Sequence, residues 1–166
     1  PLVQFLLQPV LIFGVVFHFI MGFFLDLKNR KSRSVNYAFN KPSANSSWPS
    51  RNMIISGITV LAFLALHFID FWIPEMNYKY VEFLPDNPNR YYHELVEKFQ
   101  DPIKVGFYCI SFIFLALHLV HGLASSTQSL GTSNKYSSLI KKISYSFGIV
   151  VPLGFCFIAI YHFLSH

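Results

Sequence analysis

Four long apolar runs divide this 166-residue chain, approximately Leu2 to Leu27, Met53 to Ile73, Ile103 to Thr127 and Ile143 to Leu164. Crossing a hydrocarbon core takes about 20 apolar helical residues, and each run meets that length once its ends are allowed to fray. Nearly all Lys, Arg, Asp and Glu fall between the runs or at their ends, because a bare charge in hydrocarbon costs upward of about 2.5 kcal/mol. Asp70 and Lys104 are expected near span ends, with their charges snorkelling outward. The pattern predicts an all-α integral membrane helical bundle, a single domain over residues 1–166.

Composition agrees: 53% of residues are hydrophobic, 13% are charged, and the mean hydropathy is +0.43. A soluble domain is excluded. The net charge of +5 does not point to nucleic acid, because the basic residues gather in two loops beside apolar spans. One loop holds Lys28, Arg30, Lys31, Arg33, Lys41 and Arg51; the other holds Lys135, Lys141 and Lys142. The segment from Glu75 to Asp101 is mixed and slightly acidic. The positive-inside rule puts the basic loops in the cytoplasm and the C-terminus outside, and an even number of spans then puts the N-terminus outside too. The chain starts at an apolar run without a Met, so a segment is expected upstream.

The inner loop Asn29 to Asn52 is rich in Ser, Asn and Pro and carries Tyr37 and Trp48. It reads equally as a docking surface at the membrane face or as a solvated connector. Pro42 and Pro49 forbid a continuous helix there, and Ser50 is expected to cap a helix starting near Arg51 or Asn52. On the outer side, Leu95, Val96 and Phe99 at helical spacing predict a short interfacial helix over Tyr91 to Gln100, flanked by Tyr78, Tyr80, Tyr91 and Tyr92. Pro152 is expected to kink the fourth span. Cys109 and Cys156 lie inside spans as small hydrophobes and imply neither a disulfide framework nor a thiolate metal site. The sequence shows neither a signal peptide nor an internal repeat.

Of the seven histidines, His93, His162 and His166 are expected in or near water. His18, His67, His118 and His121 lie inside spans, where an imidazole must find partners within the bundle. His18 stands ten residues from Lys28, and His118 ten from Gln128. Both are therefore roughly 15 Å from the cytoplasmic end. His67 is fifteen residues from Asn52, roughly 22 Å in, and belongs to a second level nearer the outer face.

Imidazoles facing each other at one depth supply the two axial nitrogens of a six-coordinate haem, an arrangement suited to electron transfer. His18-Phe-Ile-Met-Gly22 and His118-Leu-Val-His-Gly122 share the spacing His-x-x-x-Gly, which sets a glycine one turn from each histidine on the same face. Gly14 adds further smooth backbone beside His18. A flat porphyrin needs such room. Taken singly, an intramembrane His is as often a helix-packing residue, and a small-residue face promotes helix contact without a cofactor. The depth-matched pair favours haem. His121 lies off this register, as a residue supporting the ligand, contacting a propionate or lying close to a quinone. A membrane di-iron site would need a histidine cluster near the cytoplasmic surface, which only His121 approaches. Covalent haem attachment would need Cys-x-x-Cys-His, which is absent, so the haem expected is b-type.

Certain longer stretches carry a family resemblance: Asn40-Lys-Pro, the run Asn45-Ser-Ser-Trp-Pro-Ser-Arg-Asn-Met53, the third-span run Leu115-Ala-Leu-His-Leu-Val-His-Gly-Leu-Ala-Ser-Ser-Thr-Gln-Ser-Leu-Gly131, and the tail Leu139-Ile-Lys-Lys through Pro152-Leu-Gly. Over essentially its whole length the chain resembles the cytochrome b membrane-anchor subunit of succinate:quinone oxidoreductases (succinate dehydrogenase and fumarate reductase), especially the single-subunit di-haem type of Bacteroidetes. The resemblance implies a multi-pass subunit of the bacterial inner membrane with five transmembrane helices and two haems b, one near the cytoplasmic iron–sulfur subunit and one near the outer face. This sequence holds four spans. The missing one corresponds to the first helix, which would carry the partner of the outer ligand, so the expectation is a chain truncated at its N-terminus.

By the same resemblance His18 and His118 are ligands of the inner haem, and His67 is one ligand of the outer haem. Arg51 and Asn52 lie where a propionate or a quinone would be met. Arg suits a carboxylate because its fork donates two parallel hydrogen bonds. The acidic residue that some relatives carry two positions before the third-span ligand is Ala116 here, so its proton role is not carried over. The implied partners are a flavoprotein subunit, an iron–sulfur subunit, membrane lipid and a quinone, with menaquinone a family-level inference. Two other readings stand beside it: a haem b anchor of another quinone-linked oxidoreductase, and a non-redox membrane scaffold or transporter in which the histidines pack helices or relay protons.

Overall fold

The computed structural model describes residues 2–32, 48–131 and 137–165. Tyr37, Lys41, Pro42, the Asn40-Lys-Pro and Asn45 to Ser47 stretches, Lys135 and His166 lie outside these residues. Every regular element among the described residues is helical: α1 (Gln8–Lys31), α2 (Trp48–Arg51), α3 (Met53–His67), α4 (Ile73–Tyr80), α5 (Arg90–Lys98), α6 (Pro102–Ser129) and α7 (Ser137–Ser165). Four helical stretches are long and apolar enough to cross a membrane: Val3–Lys31, Met53–Tyr80, Pro102–Thr127 and Ser138–Ser165. The chain forms an all-α, multi-pass membrane protein.

Two compact units make up the chain, Pro1–Ile54 and Ile55–His166. In the first, α1 follows a π-helical turn, Val3–Leu7, and has no buried residue. Phe5 and Phe13 are about 70% exposed. Such outward apolar side chains suit a lipid solvent, in which the helix satisfies its own backbone polar groups. Lys28, Arg30 and Lys31 occupy the last turn of α1, where cations meet the negative end of the helix dipole, and Arg30 also pairs with Asp26 one turn back. The long helix α3 starts at Met53, close to the expected Arg51 or Asn52, and is preceded by the short α2, which begins at Trp48 and holds Ser50. Pro49 in the first turn explains the start, since no amide hydrogen is needed there. Asn52 closes α2 with its backbone and side-chain N–H groups, both donating to the Trp48 carbonyl.

In the second unit, α3 continues through a π-helical turn, Phe68–Trp72, into α4. The span therefore runs past the expected end at Ile73 to Tyr80. A proline ring inside an α-helix clashes with the carbonyl four residues earlier. The wider π turn immediately before Pro74 relieves that clash, and the same order recurs with Val3–Leu7 before Pro9. The fourth span likewise stays helical through Pro152, which is fully buried.

The short helix expected over Tyr91 to Gln100 forms as α5, starting one residue earlier, and Phe99 just beyond it enters the core. At the start of α6 the Asp101 carboxylate accepts from the amides of Ile103 and Lys104 at 2.9 and 3.4 Å, with Pro102 as the first helical residue. Past its end Gly131 adopts φ +70°, the left-handed conformation that a glycine cap supplies at least cost. The buried core centres on Tyr108, whose ring meets Phe63 and Phe99 edge-on at 5.4 and 5.3 Å and lies beside Phe112.

Paired positions define the packing. Ser56 meets His118 while Asp70 meets Lys104, so α3 with its π extension runs antiparallel to α6. Val120 faces Gly148 while the Cys156 thiol points to the Cys109 carbonyl, so α6 and α7 are antiparallel too. A Cβ at Gly148 would lie 3.0 Å from the Val120 backbone nitrogen. Gly148→Leu must therefore separate the helices, and overpacking of this kind costs about 1–3 kcal/mol. Thermal unfolding in detergent is expected at a lower temperature for Gly148→Leu, and nearly unchanged for Gly154→Ala, whose added Cβ meets nothing within 4 Å.

Asp70 and Lys104 do not snorkel. Asp70 is 5% exposed, its Oδ1 accepts from Lys104 Nζ at 2.8 Å, and its Oδ2 accepts from the Tyr108 hydroxyl at 3.1 Å. In a low-dielectric interior each charge is better served by the other than by a long reach to water, provided the remaining lone pairs are met. Tyr108 meets one. His162 departs from expectation as well: it is buried, with Tyr92 edge-on at 5.7 Å and Tyr161 at 5.4 Å. Its place near the chain end suggests water, but Tyr92 of α5 covers it.

Candidate functional site

His118 stands on α6, eleven residues before the helix ends at Ser129, and is half-buried. Its Nδ1 lies 3.1 Å from the Ser56 hydroxyl oxygen on α3, and Ser56 is 4% exposed. Gly57, the next residue, lies beside the ring, and a Cβ there would make ordinary contact with His118 Cε1 at 3.6 Å. When Nδ1 carries the proton and gives it to Ser56, the lone pair sits on Nε2, the form that binds a metal. This chemistry fits an axial haem ligand. Gly122, one turn along α6, and His121 are both half-buried.

His67, at the end of α3, lies eleven residues beyond Ser56 on the same helix, roughly 16 Å along its axis. The two levels are therefore distinct within this unit. Phe63 stacks on the His67 ring at 5.7 Å and Phe71 tilts against it at 5.2 Å, which fixes its direction. One side of His67 opens on a cavity of about 470 Å³ lined also by Phe71, Trp72, Glu75, Tyr91, Glu94 and Leu95. Within that wall the Trp72 indole N–H is buried with no hydrogen-bond partner among the described residues. The cavity is of a size that holds small molecules.

Arg90 joins α5 to α4 through two of the carboxylates that line the cavity. Its guanidinium donates to Glu75 and Glu94 and lies over the Tyr78 ring at 4.0 Å, while Tyr91 donates to Glu75 at 2.9 Å. Burial opposes the charge on Arg90, but the hydrogen bonds to Glu94 and Glu75 outweigh it and hold the guanidinium above its ordinary pKa.

The first unit carries His18 on α1 and Arg51 at the end of α2, both exposed. A Cβ at Gly14 or Gly22 would meet nothing within 4 Å, so the backbone beside His18 is smooth, as a flat ligand requires. Among the described residues no group of three or more His, Cys, Asp or Glu side chains could hold a metal ion by itself. A haem asks less of the protein, because the porphyrin supplies four ligands and the protein two.

Ser56, Asp70, Lys104, Tyr108 and Trp72 are absent from the sequence-derived site. Three of them had a signal. Asp70 follows His67 by three residues, and Lys104 and Tyr108 are one turn apart on α6, so a search for opposite charges at equal depth on antiparallel spans finds the group. Ser56 had none, because a serine near a span end is unremarkable until its neighbour is known. No family model matches the chain, and neither a curated protein nor a solved structure matches it.

Proposed function

We propose that this chain is the haem b-containing membrane anchor of a succinate:quinone oxidoreductase, passing electrons between an iron–sulfur subunit at the cytoplasmic face and quinone in the bacterial inner membrane. The observation that carries the reading is the His118 imidazole, which lies within a membrane span with the buried Ser56 hydroxyl at its Nδ1, an arrangement that leaves Nε2 to ligate when Nδ1 donates. The sequence register supplies its partner, His18, at matching depth on another span with the same glycine spacing. His67 would help to hold a second, outer haem. The family resemblance supplies the dicarboxylate chemistry, which belongs to a flavoprotein subunit, and makes menaquinone the expected quinone.

A haem held by His18 and His118 would supply one-electron exchange. The work of the chain is then to hold and insulate. Ser56 meets Nδ1 of His118, Gly57 lies beside the same ring, and Phe63 and Phe71 orient His67. Arg51 would meet a propionate or lie beside the quinone, and His121 would support the inner site from the next turn.

Purification through this subunit from its own membranes, in mild detergent, tests the assignment. A flavoprotein and an iron–sulfur protein are expected to co-purify, and succinate is expected to reduce a b-type component in the isolated complex. Co-purification of a different dehydrogenase, with haem reduced by that enzyme's substrate and not by succinate, would replace the succinate assignment.

A further inference from the structure

Ser56 faces His118 from α3, buried to 4% exposure, with its hydroxyl oxygen 3.1 Å from Nδ1. Gly57 lies beside the same ring, where a Cβ would stand 3.6 Å from Cε1, so two consecutive residues of α3 border one edge of the imidazole. Inside a helix a serine can donate its own proton to the carbonyl one turn back, which leaves its oxygen to accept. A hydroxyl in that role specifies Nδ1–H and therefore an Nε2 lone pair. A carboxylate would do the same, but would draw the proton further and make the ring a stronger electron donor. Hydrogen bonding to the distant nitrogen of a ligating histidine tunes the metal as well as the ring orientation.

Resting on the functional reading above, we propose that Ser56 is a positioning residue for the inner haem, selecting Nε2 of His118 as the ligating nitrogen and setting the reduction potential of that haem through a neutral acceptor at Nδ1. Replacing the acceptor by a methyl group leaves a less basic imidazole, which stabilises ferric iron less and raises the potential. A carboxylate at the same place lowers it. The side chain acts only through His118.

The test is a redox titration of the complex in detergent, followed optically, with low-temperature electron paramagnetic resonance of the oxidised low-spin haem, for wild type, Ser56→Ala, Ser56→Asp and Ser56→Thr. The inner component is expected to shift upward in potential in Ser56→Ala, downward in Ser56→Asp, and to stay at the wild-type value in Ser56→Thr, which restores the hydroxyl. The resonance of the inner haem is expected to move in Ala and return in Thr, whereas the outer haem keeps its potential throughout. Should Ser56→Ala lose the inner haem, its retention in Ser56→Thr supports the role, and loss in both marks a packing position and overturns it. Unchanged potential and resonance in Ser56→Ala overturn the inference while leaving the haem assignment intact. A wild-type protein without haem overturns the functional reading itself.

Discussion

Asp70→Ala is expected to destabilise the protein by about 3–5 kcal/mol, because it strands the Lys104 ammonium beside a membrane-embedded core. The Asp70 carboxylate currently engages both Lys104 at 2.8 Å and Tyr108 at 3.1 Å, and Tyr108 is the residue around which the aromatic core is built. Lys104→Met should cost a similar amount by leaving a carboxylate in place of an ion pair. The double variant Asp70→Asn/Lys104→Met removes both charges and keeps a side chain that accepts from Tyr108, so it should recover most of the loss. Replacing a buried pair by uncharged groups is often close to neutral, whereas breaking it is not. Unfolding of wild type, Asp70→Asn, Lys104→Met and the double variant in the same detergent gives the coupling directly. If each single variant falls within about 0.5 kcal/mol of wild type, as an exposed pair would, the pair is not buried in the membrane protein.

The second large effect concerns the cofactor. His118→Ala is expected to abolish one b-type component of the spectrum while the protein remains inserted and folded, since the half-buried imidazole contributes little to the core around Tyr108. His18→Ala should remove the same component. Agreement of the two spectra would establish the pairing that the sequence register assigns. His67→Ala should leave this component in place, because its level on α3 lies eleven residues from Ser56. Pyridine haemochrome per polypeptide, measured on equal amounts of folded protein, reads all three.

Much of the fold was legible because lipid imposes a plain rule: helices with outward apolar surface, and charges at their ends. The ends themselves were harder to read. Pro74 looks like a terminator, but the π turn at Phe68–Trp72 makes room for its ring and lets the helix continue to Tyr80. Counting residues from a span end gives depth and nothing about direction around the helix. Asp70 and Lys104 each looked free to reach water until α3 and α6 were seen to run antiparallel and bring them to one level. His162 illustrates the same limit, since its nearness to the chain end says nothing of Tyr92, which arrives from α5. At the candidate site the histidines could be named from the sequence, because imidazole is costly in a membrane and therefore conspicuous. Ser56 could not, because a hydroxyl can satisfy itself within its own helix and becomes informative only when His118 is found beside it.

The central claim is that this protein carries b-type haem on histidines within its spans. A reduced-minus-oxidised optical spectrum with pyridine haemochrome, recorded on the full-length wild-type protein in its own membranes, tests it most directly. The account predicts a b-type spectrum with haem in stoichiometric amount relative to the polypeptide. A well-folded protein with no haem would contradict it and would make the histidines packing or proton-relay residues of a non-redox membrane protein.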